Sequence, residues 1–425
     1  MTSGLPPSPL GFEFNGAFEP HNAGEVWALS LWEVRSRIIA SHGHNVANGN
    51  NLMLSIVTDA LKMTPIDPSY VDARDALIDA DCATHGCANE PAIWAGFADR
   101  GLGFGASSSE GIATHIGVKE SFAVPNLAIS GIQILDSGSG ANHFPDPGET
   151  VSLRITLKNP WHLASKGAAG ITAMLTSTTP GVVITKKTSA YPAIPAQGSK
   201  TNSVLFTFKV PAGFACGRSI QFNLATASSL GARIQPFTLR VGRPGGIGPV
   251  KTFTKNIAGG TAIPDGLGTG ITSSLPVTMD LEIADLDVKV NSLTHTWVGD
   301  LTVEIKSPSG FGTDVVFEPA GCIPDGCFFG LNSGDNFTNT TLDDAATQDL
   351  VLADDSAAPF TGRWLPFFNS PALGDIGVAS GELGHFNGQG TLGTWQLFVS
   401  DLAFRDTGKL NSWSLLVRPR LFVCR

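Results

Sequence analysis

The chain has 425 residues, more than one ordinary core accommodates, so several domains are expected. Its 27 basic and 37 acidic residues leave a net charge of −10, and no Lys/Arg-rich run appears, which argues against a nucleic-acid or anionic-membrane partner. No stretch approaches the ~20 apolar residues that cross a bilayer, and 49 Gly, 27 Pro and only 15% charged residues suit turn-rich β domains of an extracellular kind.

The opening run Met1-Thr2-Ser3-Gly4-Leu5-Pro6-Pro7 has neither a basic nor an apolar region, so no secretion signal is read on this chain. From about Glu19 to Gly101 the apolar residues recur at helical spacing. Trp27, Leu31, Val34 and Ile38 mark a first helix that stops at Ser41-His42-Gly43. A second is expected after Asn50-Asn51, carrying Leu52, Ile56 and Leu61 until Pro65. Ser69 or Asp72 can cap a third through Leu77 and Ile78. Pro91 opens a fourth with Ile93, Trp94 and Phe97, ended by Gly101. Residues 1–103 thus predict a small helical bundle, and the Gly/Ser-rich residues 104–125 a linker.

From Asn126 the period changes to two. The turn Asp146-Pro147-Gly148-Glu149 launches Val151, Leu153, Ile155 and Leu157 on one face of a strand. Further short apolar runs at 181–184, 204–208 and 237–241 are divided by Pro and Gly turns, which predicts an immunoglobulin-like β-sandwich over 126–243. Asp136 and Asp146 in its first turn are read as turn formers, with calcium the competing reading. After Arg243-Pro244-Gly245-Gly246, residues 244–425 alternate again in Leu286/Val288/Val290, Leu301/Val303/Ile305, Trp395/Leu397/Val399 and Trp413/Leu415/Val417. A jelly-roll β-sandwich is expected there. The fold class is therefore multidomain, α followed by all-β.

Six cysteines fall as two Cys-x4-Cys pairs, Cys82/Cys87 and Cys322/Cys327, with Cys216 and Cys424 apart. An even count in local pairs fits disulfides in an oxidising compartment; a shared zinc site is disfavoured because the pairs lie in different expected domains. The nine His stand at 21, 42, 44, 85, 115, 143, 162, 295 and 385, and no two share the i, i+4 spacing that lets one helix face hold a metal. His42 and His44 flank Gly43 where a helix should end, and read as a terminus rather than as ligands. Glu25 and Glu33 read as solvated or ion-paired rather than as an acid/base couple. No protein metal ligand is assigned.

Two resemblances rest on ordered motifs. His21-Asn22-Ala23-Gly24-Glu25-Val26-Trp27-Ala28, Gly49-Asn50-Asn51-Leu52, Val71-Asp72-Ala73-Arg74-Asp75-Ala76 and Ile93-Trp94 through Phe97 to Gly103 resemble the C-terminal helical subdomain of the fungalysin family, relatives of thermolysin. That resemblance implies a secreted zinc metalloendopeptidase acting on protein or peptide substrates. It also implies a catalytic role for His21, the imidazole that donates to the oxyanion formed from the peptide carbonyl. The family's zinc helix, His-Glu-x-x-His, has no counterpart in this chain and would lie before Met1, so the chain is expected to be inactive by itself. The family's Asp five residues ahead of this His is replaced by Gly16.

The second set is His295-Thr296-Trp297-Val298-Gly299-Asp300-Leu301, Ser307-Pro308-Ser309-Gly310, Phe360-Thr361-Gly362, Gly393-Thr394-Trp395-Gln396-Leu397 and Gly408 to Leu415. These residues are similar to the P domain, or Homo B, of proprotein convertases and bacterial secreted proteases. Such a domain implies a role in folding, secretion or stability rather than chemistry. The oxygen-rich stretch Asp335 to Asp344 leaves two readings, a calcium site as in bacterial relatives or a solvated acidic loop. The alternative to a peptidase portion is a stand-alone extracellular binding or adhesion protein that keeps a relic peptidase segment.

Overall fold

In a computed structural model, residues 20–66, 68–107, 119–136, 141–266, 269–317, 321–323, 326–328, 332–371 and 383–425 are described, with side chains at all of these except 20–23, 317, 321–323, 326–328 and 368. Four helices come first: α1 (Pro20–Ser41), α2 (Val46–Met63), α3 (Tyr70–His85) and α4 (Glu90–Ala98). Their shared core holds Val34, Ile38, Met53, Ile56, Leu77, Ile78, Ile93 and Phe97.

Local chemistry sets the helix ends. The Ser69 hydroxyl accepts the Asp72 N–H while the Asp72 carboxylate accepts the Ser69 N–H, a reciprocal cap for α3. The second helix begins earlier than Asn50-Asn51 suggested, because the Asn45 side chain accepts the Asn48 N–H and starts it at Val46. Its buried row is Gly49, Met53, Ile56 and Ala60, so Leu61, expected inside, is 72% exposed. The helices cross closely where glycine permits. A Cβ on Gly96 of α4 would lie 2.5 Å from the Val34 Cα, and one on Gly49 of α2 would lie 2.5 Å from the Ile39 Cγ1.

The next unit is two antiparallel sheets face to face. One runs Ala128–Leu135, Thr150–Lys158, Phe206–Lys209, Val183–Lys186, with Ser199–Thr201 also on Thr150–Lys158. The other runs Thr188–Ala190, Thr172–Ser177, Ser219–Ser228, Gly231–Arg240. Val151, Leu153, Ile155 and Leu157 all point inward, as the alternation required, and meet Phe206, Phe208, Phe222 and Leu224. Val204 is exposed and lies outside any strand. The segments joining helices to sandwich fold back on each other: Gly103 N–H donates to Ser121 O at 2.7 Å and Phe104 N–H to Ala123 O at 2.6 Å.

The last unit also has two sheets. Gly408–Val423 sits between Glu282–His295 on one side and both Lys251–Ala262 and Arg243–Ile247 on the other. Phe337–Leu342, Gly362–Leu365 and Gln348–Asp349 extend that sheet, and Ile271–Val277, Gly393–Asp401, Leu301–Lys306 and Gly312–Phe317 form the second. All twelve apolar residues of the four alternating runs named above are buried between them. Trp413 and Trp395 are fully buried and still satisfy their indole N–H groups, on the Ser273 hydroxyl at 2.9 Å and the Thr391 carbonyl at 3.0 Å.

Two disulfides are formed, Cys82–Cys87 and Cys216–Cys424; the second joins residues 208 apart and ties the sandwich to the end of the last strand. Cys322 and Cys327 are opposite each other in a two-stranded antiparallel pairing, and their side chains lie outside the described residues. Among the described residues no helix is long and apolar enough to cross a membrane.

Candidate functional site

The chemistry expected of the helical unit centres on the start of α1. The backbone places His21 in the first turn of that helix, one turn before Gly24 and Glu25; its side chain lies outside the described residues. A cavity of about 290 Å³ opens beside this turn, lined by Gly24, Trp27, Val57, Leu61, Ser69 and Tyr70 among others. Trp27 forms one wall, stacked on Phe97 at 5.5 Å and on Tyr70 at 6.3 Å between ring centres. Burial pushes the Tyr70 hydroxyl above its ordinary pKa. Tyr70 was not singled out from the sequence.

A second apolar groove, about 410 Å³, continues along α1 and α2 between Leu31, Trp32, Arg35, Met53, Leu54 and Val57. Arg35 lies over the Trp32 ring at 4.6 Å and donates to Asn50 at 2.7 Å. Val34 and Ile38 are buried inside the unit, while Val26, Trp32 and Leu54 are 48%, 49% and 66% exposed. Leu29 and Glu33 of α1 are buried too, so the uncovered apolar surface is a strip along the α1–α2 groove at Trp32 and Leu54.

Glu33 is buried and ion-paired, with Arg100 at 2.6 Å from its carboxylate. The pair fastens α1 to the residues that follow α4. The His42 ring nitrogen is 3.0 Å from the Ile38 carbonyl, a helix-end contact, and His44 is exposed on a left-handed residue at φ 63°. Zinc, implied by the fungalysin resemblance, finds no fitting donors: among the described residues no three His, Cys, Asp or Glu side chains are grouped to hold a metal. The acidic stretch of the last unit is also committed elsewhere. Asp343 pairs with Arg363 and accepts the Ala345 N–H, Asp344 accepts the Leu383 and Gly384 N–H groups, and Asp335 is exposed. The two candidate carboxylates at 136 and 146 accept turn N–H groups and the Asn142 amide, as turn formers should.

Buried carboxyls of the last unit point to a dependence of its stability on pH. Burial, reinforced by Asp285, pushes Asp287 up to about 6; burial, reinforced by Asp401 and Asp406, pushes Asp300 up to about 6. Asp314, buried opposite Glu304 across two strands, is raised well above the ordinary range by burial and then by that neighbour. A carboxyl raised in the folded state binds protons more tightly than in the unfolded chain. Its contribution is fully present below about pH 4 and is lost as pH rises through about 6. The urea midpoint of the last unit should accordingly be higher at pH 5 than at pH 7. Asp287→Asn and Asp300→Asn should flatten that slope, and a wild-type midpoint that rises from pH 5 to pH 7 would contradict the assignment.

Comparison with known proteins bears on the helical unit. Residues 9–106 match the model of the fungalysin metallopeptidase family, M36. The extracellular metalloproteinase mep of Aspergillus terreus is 37% identical over 130 residues, covering 28% of this chain and 20% of that protein. The extracellular metalloproteinase NpIII of Aspergillus oryzae is 39% identical over 117 residues, covering 24% of this chain and 18% of that protein. The chain thus spans about a fifth of the length of the curated relatives it matches. A serine protease of Aeromonas sobria is 16% identical over 48% of this chain and 37% of its own, with a TM-score of 0.23, too low to indicate a common fold. What the comparisons show is a similarity to fungalysin metallopeptidases at residues 9–106, in a multidomain α and β chain.

Proposed function

We propose that this chain is the C-terminal portion of a secreted fungalysin-like metalloendopeptidase. In this reading the helical unit is the closing part of the catalytic domain, followed by an immunoglobulin-like sandwich and a P domain of jelly-roll form that aids folding, secretion and stability. The observation that carries the reading is the family match over the residues that contain the His-x-x-Gly-x-Val-Trp-Ala run. Beside that run, Trp32 of α1 and Leu54 of α2 leave an exposed apolar strip along the α1–α2 groove. Relatives are named extracellular metalloproteinases, and the disulfides suit an oxidising compartment.

Within that reading His21 donates an N–H to the oxyanion developing on a peptide carbonyl, an interaction strongest in the transition state. Tyr70 and Trp27 line the wall beside it. The P-domain assignment draws support from where its motif residues sit. His295 is buried against Asp401 at 3.2 Å, Gly299 and Asp300 form a short helical turn, and Trp395 and Trp413 anchor the core.

Purified chain 1–425 is expected to cleave casein no faster than a no-enzyme control, since among the described residues no His, Cys, Asp or Glu side chains are grouped to hold a zinc. Chelator-sensitive proteolysis by this chain alone would overturn the proposal that it is inactive by itself. Co-expression with the amino-terminal portion of a fungalysin should restore cleavage, and His21→Ala should then lower kcat by roughly a hundredfold or more with little change in KM.

A further inference from the structure

Trp161 belongs by sequence to the β-sandwich, yet its ring is buried in the core cluster of the helical unit, which also holds Trp94 and Phe97. Its indole N–H donates to the Pro125 carbonyl at 3.0 Å, and its own N–H is held by the Asn159 side chain. The next two residues meet a carboxylate that arrives from the helices. Glu90, fully buried at the first turn of α4, accepts the His162 N–H at 3.0 Å and the Leu163 N–H at 2.7 Å, and lies 2.9 Å from the His162 ring nitrogen. The Trp94 indole N–H approaches the same carboxylate at 3.4 Å. A carboxylate taken out of water needs this many donors, and all but one of these come from the sandwich loop.

The turn that presents Glu90 is itself pinned. Asp81, fully buried in α3, accepts both the backbone and side-chain N–H groups of Asn89, and the Cys82–Cys87 disulfide closes the same turn. From Glu90 the helix runs to Gly96, where α4 touches the backbone of α1 at Val34. A continuous path of packed or bonded groups therefore links the sandwich loop to α1.

We propose that the 161–163 loop is a docking plug: the sandwich supplies a missing piece of the helical core and holds α4, and through it α1, in place. The helical unit then depends on the sandwich to complete its core, and the sandwich is not a tethered appendage. This stands whether or not the chain serves a peptidase.

Hydrogen exchange followed by mass spectrometry on full-length chain tests it. Trp161→Ala and Glu90→Ala should each speed amide exchange in α1 and α4 by more than tenfold, while peptides from Ser219–Ser228 in the sandwich core stay within twofold of wild type. Trp161→Phe, which fills most of the space, should restore most of the protection. Should the alanine variants fail to fold, Glu90→Gln, which keeps the shape but removes the charge, should still raise exchange in α4 before any other helix. Unchanged helical exchange, or loosening confined to the sandwich, would overturn the proposal.

Discussion

A chain in which Cys216 and Cys424 are both replaced by serine should lose about 5 kcal/mol of stability across the sandwich and the last unit. The chain-entropy account of disulfides assigns roughly that much to a closed loop of this length. The bridge spans 208 residues, against 5 for Cys82–Cys87, so the same account gives the local bridge the smaller share. Its neighbourhood is already ordered without it. Asp280 of the last unit accepts the Ser219 N–H at 2.7 Å and pairs with Arg240 at 2.9 Å, and Arg240 reaches Glu282 as well. The native joint should therefore persist in the double variant while its unfolded state gains freedom. Urea denaturation should show a midpoint lowered by more than 1 M, given an m-value of a few kcal/mol per M for units of this size. A midpoint unchanged from wild type would mean that the bridge is not formed in solution.

Trp413→Ala should cost the last unit about 3 to 5 kcal/mol, the usual range for removing a fully buried Trp. The ring lies between the two sheets, on the strand that pairs with both Lys251–Ala262 and Glu282–His295. Its loss leaves a cavity and strips the Ser273 hydroxyl of its donor. Trp413→Phe keeps most of the volume and should lose less than half as much. Circular dichroism melts of the two variants would separate the packing from the hydrogen bond, and an alanine variant as stable as wild type would remove Trp413 from the list of core anchors.

Periodicity was most informative where one face of an element had to be buried. Val34 and Ile38, and the four residues Val151 to Leu157, lie where their spacing placed them, because burial selects one side of a helix or strand and leaves a countable signature. The start of α2 was misread since two Asn residues looked like a cap while Asn45, five positions earlier, did the work. Glu90 was harder. An acidic residue in a first helical turn reads as complement to the helix dipole, and nothing local announces that its carboxylate bonds a residue 72 positions later. Trp161, after Asn159-Pro160, likewise gave no periodic signal. The pairing of Cys216 with Cys424 is a fact of three-dimensional neighbourhood, which spacing cannot encode. For the candidate site, sequence supplied the helix and His21, and the fold added the wall of Trp27 and Tyr70.

The strand Gly408–Val423 is the hub of the larger sheet in the last unit, and the two residues after it reach the sandwich through Cys424 and through the Arg425 N–H on Asp146. On a ribosome, this strand leaves the exit tunnel after the strands it joins. Until it does, Glu282–His295 and Lys251–Ala262 wait as unpaired edges, and the sandwich thiol at 216 waits for its mate. Assembly of this sheet must then wait until its hub has been made, and a chain lacking only Gly408–Val423 would present exposed sheet edges for chaperones or quality-control proteases to recognise.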